Sequence, residues 1–220
     1  MDQNEVVYLN DITIRAACAT DPFREIAACL YLTDPFIYPG AFGEARDAAA
    51  SAISALMKIE HGLFHYQNID LVLHRDKICG VLLHSDPNAR WEQAVCNAAV
   101  GPFLPDLSDF IRVSEAYFSQ EVQQPGKDRV EVIACCVLPE YRKLGIGAAL
   151  MTHFMAQHRD KTVTLDVLAE NAAAIALYQK CGFVIKEAYK GFHLAEEKRP
   201  DCYHMVRPAP KPGVDPAAEH

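Results

Sequence analysis

The sequence predicts a mixed α/β fold, with helices flanking one central twisted sheet of mixed strand direction. Runs rich in β-branched residues alternate along the chain with longer segments whose apolar residues recur at helical spacing. Two strand-like runs are separated only by Arg75-Asp76-Lys77, which predicts a hairpin. A chain of 220 residues that is 50% apolar can bury one substantial core. We therefore expect a single domain over residues 1–206, and a disordered tail over residues 207–220, which are Pro-rich and polar.

The N-terminal part is expected to run strand, helix, helix and hairpin. The segment ITIRAA reads as a short strand, and an amphipathic helix follows from about Asp21. Residues 35–42, which follow Asp34 in the segment DPFIYPGAF, are expected to form a turn-rich aromatic connection. The Ala-rich segment EARDAAASAISALMKI predicts a helix, and IDLVLHRDKICGVLLHS predicts the hairpin.

Residues 85–127 have a less regular pattern. They contain Pro-marked segments and one helical segment, LSDFIRVSEAYFSQEV. Their role is left open between a lid and an insertion on the substrate side.

The C-terminal part alternates strands and helices. The glycine at position 182 stands where a glycine that ends a helix belongs. The predicted elements are a strand over 129–137, a helix over GIGAALMTHFMAQH, a strand over 161–168, a helix over NAAAIALYQKCG, and final strands over FVIKEAYKGFHL and DCYHMVR.

Composition excludes several classes of function. The formal net charge is −8 and no long basic tract interleaved with aromatic residues occurs, so we expect no nucleic-acid surface. We see neither a secretory signal nor an apolar run that could span a bilayer, and the eight scattered cysteines indicate reduced thiols. We therefore expect a cytoplasmic protein without a membrane partner. His61 and His65 share helical spacing, but no metal-binding motif surrounds them.

The stretch PEYRKLGIGAAL, residues 139–150, has the features of an anion site. A dinucleotide-binding fingerprint requires a third glycine, which is missing here. Asp166 lies at the distance expected for the ribose-binding acid of that fingerprint, but it stands inside a strand and not at the strand's end. A P-loop is excluded because no Gly-Lys-Ser/Thr follows. Gly145 and Gly147 would instead leave backbone N–H groups at a helix start open to a pyrophosphate, with Arg142 adding a charged donor. Taken alone, the stretch is equally compatible with a tight turn beside a solvated arginine.

Two blocks together carry a family resemblance. The block VLPEYRKLGIG is followed about 24 residues later by NAAAIALYQKCGF, and both lie within Val130 to Phe183. The pair resembles the Gcn5-related N-acetyltransferase (GNAT) superfamily. The first block is similar to the family's acyl-CoA motif, R/Q-x-x-G-x-G/A, and the second to its companion motif with an asparagine and a tyrosine.

The resemblance implies acetyl-CoA as acyl donor, no metal, and two parallel strands, 129–137 and 161–168, that splay apart to admit the pantetheine arm. It implies that Asn171 contacts that arm and that Tyr178 lies near the sulfur, where its phenol acts as general acid. The cofactor-binding residues implied are Cys136, Val137, Leu138, Arg142, Lys143, Leu144, Gly145, Ile146, Gly147, Ala148 and Asn171.

The acceptor requires a base, because an alkylammonium group cannot attack before it loses a proton. Alternation along strand 129–137 predicts one shared face for Glu131, Ile133, Cys135 and Val137. Several members of the family carry their base on this strand, so Glu131 is the candidate base, acting directly or through water. A strand-end carboxylate in solvent is the alternative.

Direct transfer in a ternary complex is the expected mechanism. The N–H of Val137 or Leu138 would polarise the thioester carbonyl. A covalent acyl intermediate on Cys135 or Cys136 is the alternative, although no activating base is evident nearby.

The expected acceptor is a small-molecule amine, a peptide N-terminus or a lysine. Phe36, Tyr38 and Phe42, with residues 187–193, are candidates for its pocket, and Asp34 for contact with the ammonium group or for capping a turn. The alternative function is a non-catalytic acyl-CoA sensor with the same slot. The oligomeric state is left open, with a homodimer as one option.

Overall fold

The structure, a computed structural model, describes residues 11–85, 89–118, 128–190, 193–194, 197–198 and 200–210. The strands are β1 Ile12–Ala16, β2 Ile69–His74, β3 Lys77–His84, β4 Arg129–Val137, β5 Thr162–Leu168, β6 Val184–Tyr189, β7 His193–Leu194, β8 Glu197–Lys198 and β9 Cys202–Arg207. The helices are α1 Phe23–Tyr31, α2 Ile37–Phe42, α3 Arg46–Leu56, α4 Gln93–Val100, α5 Ser108–Phe118, α6 Ile146–Gln157 and α7 Ala172–Lys180.

Seven of the strands form one mixed sheet in the spatial order β1-β2-β3-β4-β5-β9-β6. Strands β4 and β5 are parallel, and every other neighbouring pair in this sheet is antiparallel. The hairpin β2–β3 turns at Arg75 and Asp76, whose φ angles of 49° and 63° are those of a tight hairpin turn. The predicted fold class is confirmed.

Helices cover both faces of the sheet, and we call these the front face and the back face. The front face packs against α1–α5, and the back face packs against α6 and α7. Alternation along the hairpin supplies both cores, because Leu71 and Leu83 point to the front while Val72 and Leu82 point to the back.

The expected connection over residues 35–42 is in part a helix, α2. Asp34 Oδ1 accepts hydrogen bonds from the N–H groups of Phe36 and Ile37, both at 2.8 Å, and so satisfies donors at the start of this short helix. The sequence prediction was wrong here because capping by Asp34 outweighed the turn-forming residues of the segment.

The segment between β3 and β4 is a helical insertion on the front face. It contains the predicted α5 and also α4, which the sequence did not indicate. Helix α4 packs on α3 and α5 packs on α2. The insertion therefore extends the front helical layer. Residues 86–88 and 119–127 lie outside the described residues, as do residues 1–10 and the last ten residues of the predicted tail.

Within the described part of the chain, no helix has the combination of length and apolar character that crossing a bilayer requires.

Candidate active site

A gap opens between the parallel strands β4 and β5. Their pairing runs from Arg129 with Thr162 to Val132 with Leu165 and then ends. Beyond that point β4 continues to pair with β3 as far as Val137. The splayed strand pair expected from the sequence is therefore present.

A β-bulge in β4 marks the point where the strands diverge. The register with β3 shifts there, because Leu83 pairs with Ala134 whereas His84 pairs with Val132. Ile133 and Ala134 consequently both pack toward the front core.

The bulge corrects one prediction. Strict alternation put Glu131, Ile133, Cys135 and Val137 on one face. In the structure Ile133 packs on the front core, while Cys135 and Val137 pack on the back core. Glu131 lies before the bulge, opposite the back-facing Val130 and Val132, so its side chain is directed to the front.

A cavity of 170 Å³ passes through the gap and joins the two faces. At the gap it is lined by Glu131 of β4 and Asp166 of β5, and on the back side by Cys135 and Tyr178. Its front part is enclosed by α2 and the insertion. The aromatic residues that line this front part include Tyr38, Phe42, Phe64, Trp91, Phe110 and Phe118.

Glu131 carries a strongly perturbed carboxyl group. The pKa of Glu131 is raised to about 7, chiefly by burial and also by the negative charge of Asp166, while His204 and Arg129 act in the opposite direction. A carboxyl group with this pKa exchanges its proton near neutral pH, as a general base must.

Asp166 and His204 form a hydrogen-bonded pair beside Glu131. His204 of β9 lies directly across from Asp166, and its Nδ1 is 2.7 Å from Asp166 Oδ1. The hydrogen bond to Asp166 is the main cause of a raised His204 pKa. From the sequence, Asp166 was expected only as a candidate ribose-binding acid and His204 was not expected at the site, because a single sequence does not show which strand neighbours β5.

Tyr178 is the one residue of α7 that is buried, with 8% of its surface exposed. Burial raises the pKa of its phenol, and the nearby thiols of Cys135 and Cys181 raise it further. The phenol therefore stays protonated over the physiological pH range. Its ring packs on Phe183, with centroids 5.9 Å apart.

Asn171 is the N-cap residue directly before α7 and also lines the cavity. Its Oδ1 accepts a hydrogen bond of 3.1 Å from the N–H of Ala174. This cap fixes the orientation of the amide group at the cavity wall.

The loop before α6 has the backbone geometry of an anion cradle. Lys143 and Gly145 have positive φ angles of 62° and 83°, and Gly145 directly precedes the first helical residue. Such a backbone turns successive N–H groups toward one side. Arg142, which is exposed, donates from Nε to the carbonyl of Val137 at 2.9 Å, so its side chain lies along the end of β4.

Gly147 has a packing role that the sequence did not reveal. A Cβ at this position would lie 3.1 Å from Leu177 Cδ2, so the glycine lets α6 approach α7 closely.

Leu138 does not direct its amide into the gap. Its N–H donates to the carbonyl of Cys79 on β3 at 2.9 Å. The expectation that the Leu138 N–H polarises a thioester is therefore wrong. Because successive N–H groups of a strand point to opposite edges, the N–H of Val137 faces the gap and remains the candidate donor.

The two cysteines of β4 are poor nucleophiles. Burial raises the pKa of Cys135 to about 12 and also raises the pKa of Cys136. A thiol of this kind is protonated near neutral pH, which disfavours a covalent acyl intermediate.

The residues expected around an acceptor divide into two groups. Tyr38, Phe42 and Tyr189 line the cavity. Phe36 packs against the front core instead, and residues 191–192 lie outside the described residues. The aromatic side chains of the insertion were missed because nothing local in residues 85–127 shows which element they pack on.

No group of three or more His, Cys, Asp and Glu side chains in the described part of the chain could hold a metal ion.

Comparisons with known proteins give a consistent result. The model of the acetyltransferase (GNAT) family matches residues 71–183. The ribosomal protein bS18-alanine N-acetyltransferase of Escherichia coli (strain K12) is 30% identical over 108 residues, which are 43% of this chain and 73% of that protein. An N-alpha-acetyltransferase of Saccharolobus solfataricus is 33% identical over 119 residues, 52% of this chain and 65% of that protein.

Solved structures match over most of the chain. An N-acetyltransferase from Staphylococcus aureus superposes with a TM-score of 0.60 at 22% identity, covering 88% of this chain and 98% of that one. An Arabidopsis thaliana protein in complex with the bisubstrate analogue CoA-Ac-MVNAL superposes with a TM-score of 0.51 at 16% identity, covering 90% and 98%. At these identities the likeness shows a shared fold.

Proposed function

The chain belongs to the acetyltransferase (GNAT) family, and from this premise we propose that it transfers an acetyl group from acetyl-CoA directly to a primary amine within a ternary complex. One observation carries the proposal. The cavity that passes through the β4–β5 gap has the Glu131 carboxyl group toward the front and the Tyr178 phenol on the back. An acceptor and a thioester that enter from opposite faces would meet between a base and an acid.

The donor would be held mainly by backbone. The N–H groups of residues 143–148 and the side chain of Arg142 bind the pyrophosphate, whereas the Arg142 N–H is used by the Pro139 carbonyl. The pantetheine arm lies along the β4 edge that β5 has left, from Cys136 to Leu138, and contacts Asn171. The Val137 N–H donates to the thioester oxygen as negative charge develops there.

Glu131 would act as the base. It takes a proton from the ammonium group directly or through water, and the free amine then attacks the thioester carbon. The Asp166–His204 pair adjusts this step, because Asp166 raises the pKa of Glu131 and His204 lowers it.

Tyr178 would donate a proton to the departing sulfur as the C–S bond breaks. A thiolate in water has a pKa of about 8.5, far below that of this phenol. The slot is apolar, however, and the same burial that raises the pKa of Cys135 to about 12 acts on a sulfur bound beside it. The two proton affinities are therefore closer than they are in water.

The acceptor class proposed here is a primary amine: a peptide N-terminus, a small molecule or a lysine. Sequence relatives named as acting on the alanine of a ribosomal protein and as N-alpha-acetyltransferases support this class.

Release of CoA thiol tests the proposal. Purified protein with acetyl-CoA should release CoA when a panel of primary amines is added, and Glu131→Gln should lower kcat by at least about 100-fold, as loss of a general base does. Thermal shift with acetyl-CoA should be equal for both proteins. A sensor would instead show the thermal shift and no amine-dependent release, which would refute catalysis.

A further inference from the structure

The front part of the cavity has an almost continuous aromatic wall. The ring of Phe42 in α2 lies 6.2 Å from Tyr38 and 5.5 Å from Phe110 of α5. Trp91 extends the wall, since its ring lies 5.9 Å from Phe110 and 4.8 Å from Phe118. Two elements far apart in the chain, α2 and the insertion, thus build one apolar surface.

The polar edge of this wall is already occupied. Trp91 Nε1 donates to Gln93 Oε1 at 2.9 Å, and Ser114 Oγ donates to the same oxygen at 2.9 Å. Gln93 Nε2 in turn donates to Asn97 Oδ1 at 2.8 Å. This network joins α4 to α5 and fixes the indole, so the surface it leaves for a ligand is the apolar ring.

The cavity is lined by carboxyl groups and by no basic side chain. Among its described lining residues the carboxylic acids are Asp34, Glu131 and Asp166, and none is a lysine, arginine or histidine; His204 lies behind Asp166, to which it is hydrogen-bonded. An ammonium group is favoured in these surroundings, whereas a second carboxylate on the acceptor would be repelled.

From this wall and these charges we infer that the acceptor is a primary amine carried by one aromatic or similarly bulky apolar group, without a carboxylate beside the amine. The inference rests on the proposed function and assigns the substrate class of the same site. The apolar group would lie among Phe42, Trp91 and Phe118, with the nitrogen directed to Glu131 at the gap.

The size of the cavity agrees with one ring. An apolar cavity of about 150 Å³ is enough to hold benzene, and the whole cavity, including its part at the gap, measures 170 Å³. Two sources share this chemistry, namely a free arylalkylamine and the N-terminal residue of a peptide, in which the carboxylate has become an amide.

The first experiment compares matched acceptors of the wild-type protein by CoA release. 2-Phenylethylamine and L-phenylalaninamide should exceed ethylamine and L-alaninamide in kcat/KM by about tenfold or more, the range expected for burying one ring. L-Phenylalanine should be at least about tenfold poorer than its amide. A peptide that begins with phenylalanine separates the two sources, because it matches the amide only if the cavity admits a continuing chain.

The second experiment measures occupancy without catalysis. Trp91 is the single tryptophan of the chain, so titration with 2-phenylethylamine should change its fluorescence, whereas ethylamine should not. Phe118→Ala should weaken this response and raise KM for 2-phenylethylamine by about tenfold. The matched control is Phe103→Ala, which removes an equally exposed ring, 40% against 43%, from the same insertion outside the cavity.

The outcomes separate the two proposals. A Trp91 response without CoA release from any amine supports the substrate-class inference and refutes catalysis. CoA release that is equal for ethylamine and 2-phenylethylamine, or faster for phenylalanine than for its amide, refutes the inference and leaves catalysis standing. If neither signal is observed, both proposals are refuted.

Discussion

Replacing Glu131 with glutamine is expected to increase stability while it removes activity. Burial and the charge of Asp166 together raise the pKa of this carboxyl group from 4.5 to about 7, against the opposing effects of His204 and Arg129. A carboxyl group whose pKa is raised on folding stabilises the folded state fully at a pH below its unfolded value, and this stabilisation is lost as the pH rises through the folded value. The wild-type protein should therefore lose stability between about pH 4.5 and pH 7.

The size of the effect follows from the same two values. One pKa unit is about 1.4 kcal/mol, so the rise from 4.5 to about 7 corresponds to about 3 kcal/mol in the free energy of unfolding. Glutamine is uncharged at every pH. Glu131→Gln should thus be close to the wild type at about pH 4.5 and more stable by up to about 3 kcal/mol at pH 8. For a chain of this length that is a rise of roughly 6–12 °C in Tm.

The assay is urea unfolding of both proteins at several values between pH 4.5 and pH 8, with CoA release measured at pH 8. Glu60→Gln is the control, because the Glu60 side chain is 85% exposed and its replacement should leave both quantities unchanged. If the stability difference between Glu131→Gln and the wild type does not grow with pH, Glu131 is not a buried titrating group. If the variant keeps wild-type turnover, Glu131 is not the base.

Three further changes test other parts of the site. Tyr178→Phe should lower kcat by about 100-fold or more and leave the thermal shift with acetyl-CoA unchanged. If the variant instead binds acetyl-CoA more weakly but keeps its kcat, Tyr178 is not the general acid. His204→Gln removes an imidazole whose protonated form lowers the pKa of Glu131, so the rising limb of the kcat/KM profile should move to higher pH, and a shift to lower pH would refute the coupling. Gly147→Ala places a Cβ 3.1 Å from Leu177. It should lower the free energy of unfolding in urea by about 1 kcal/mol and raise KM for acetyl-CoA severalfold, whereas unchanged values would mean that α7 shifts to admit the methyl group without loss.

The elements that the sequence predicted well are those set by local pattern. The strand over 129–137 and the hairpin turn at Arg75 and Asp76 were found as expected, because β-branched runs and turn residues act within a few positions. The position of Asn171 at the start of α7 was predictable for the same reason, because its side chain accepts a hydrogen bond from the N–H of a residue only three positions further along the chain.

What could not be predicted depends on contacts between distant segments. The pairing of Asp166 with His204 requires that β9 lie beside β5, across 38 residues of chain. The bulge at Ile133 leaves no mark in the sequence, because residues 132–137 are a continuous apolar run in which the two faces of the strand cannot be told apart. The contact of Trp91 with Phe110 depends on how two insertion helices pack on the front layer.

The gap in the sheet is a property of the backbone. The end of β4 stays on β3 because Gly80 has no side chain where a Cβ would lie 2.9 Å from the Cys136 carbonyl, and because Leu138 bonds to Cys79. The bulge then turns the other edge of β4 away from β5. A slot held open in this way requires little ordering when a thioester enters. The insertion connects the end of β3 at His84 to the start of β4, which lies ahead of the gap. Substitutions in the insertion can therefore alter the acceptor pocket without altering the slot.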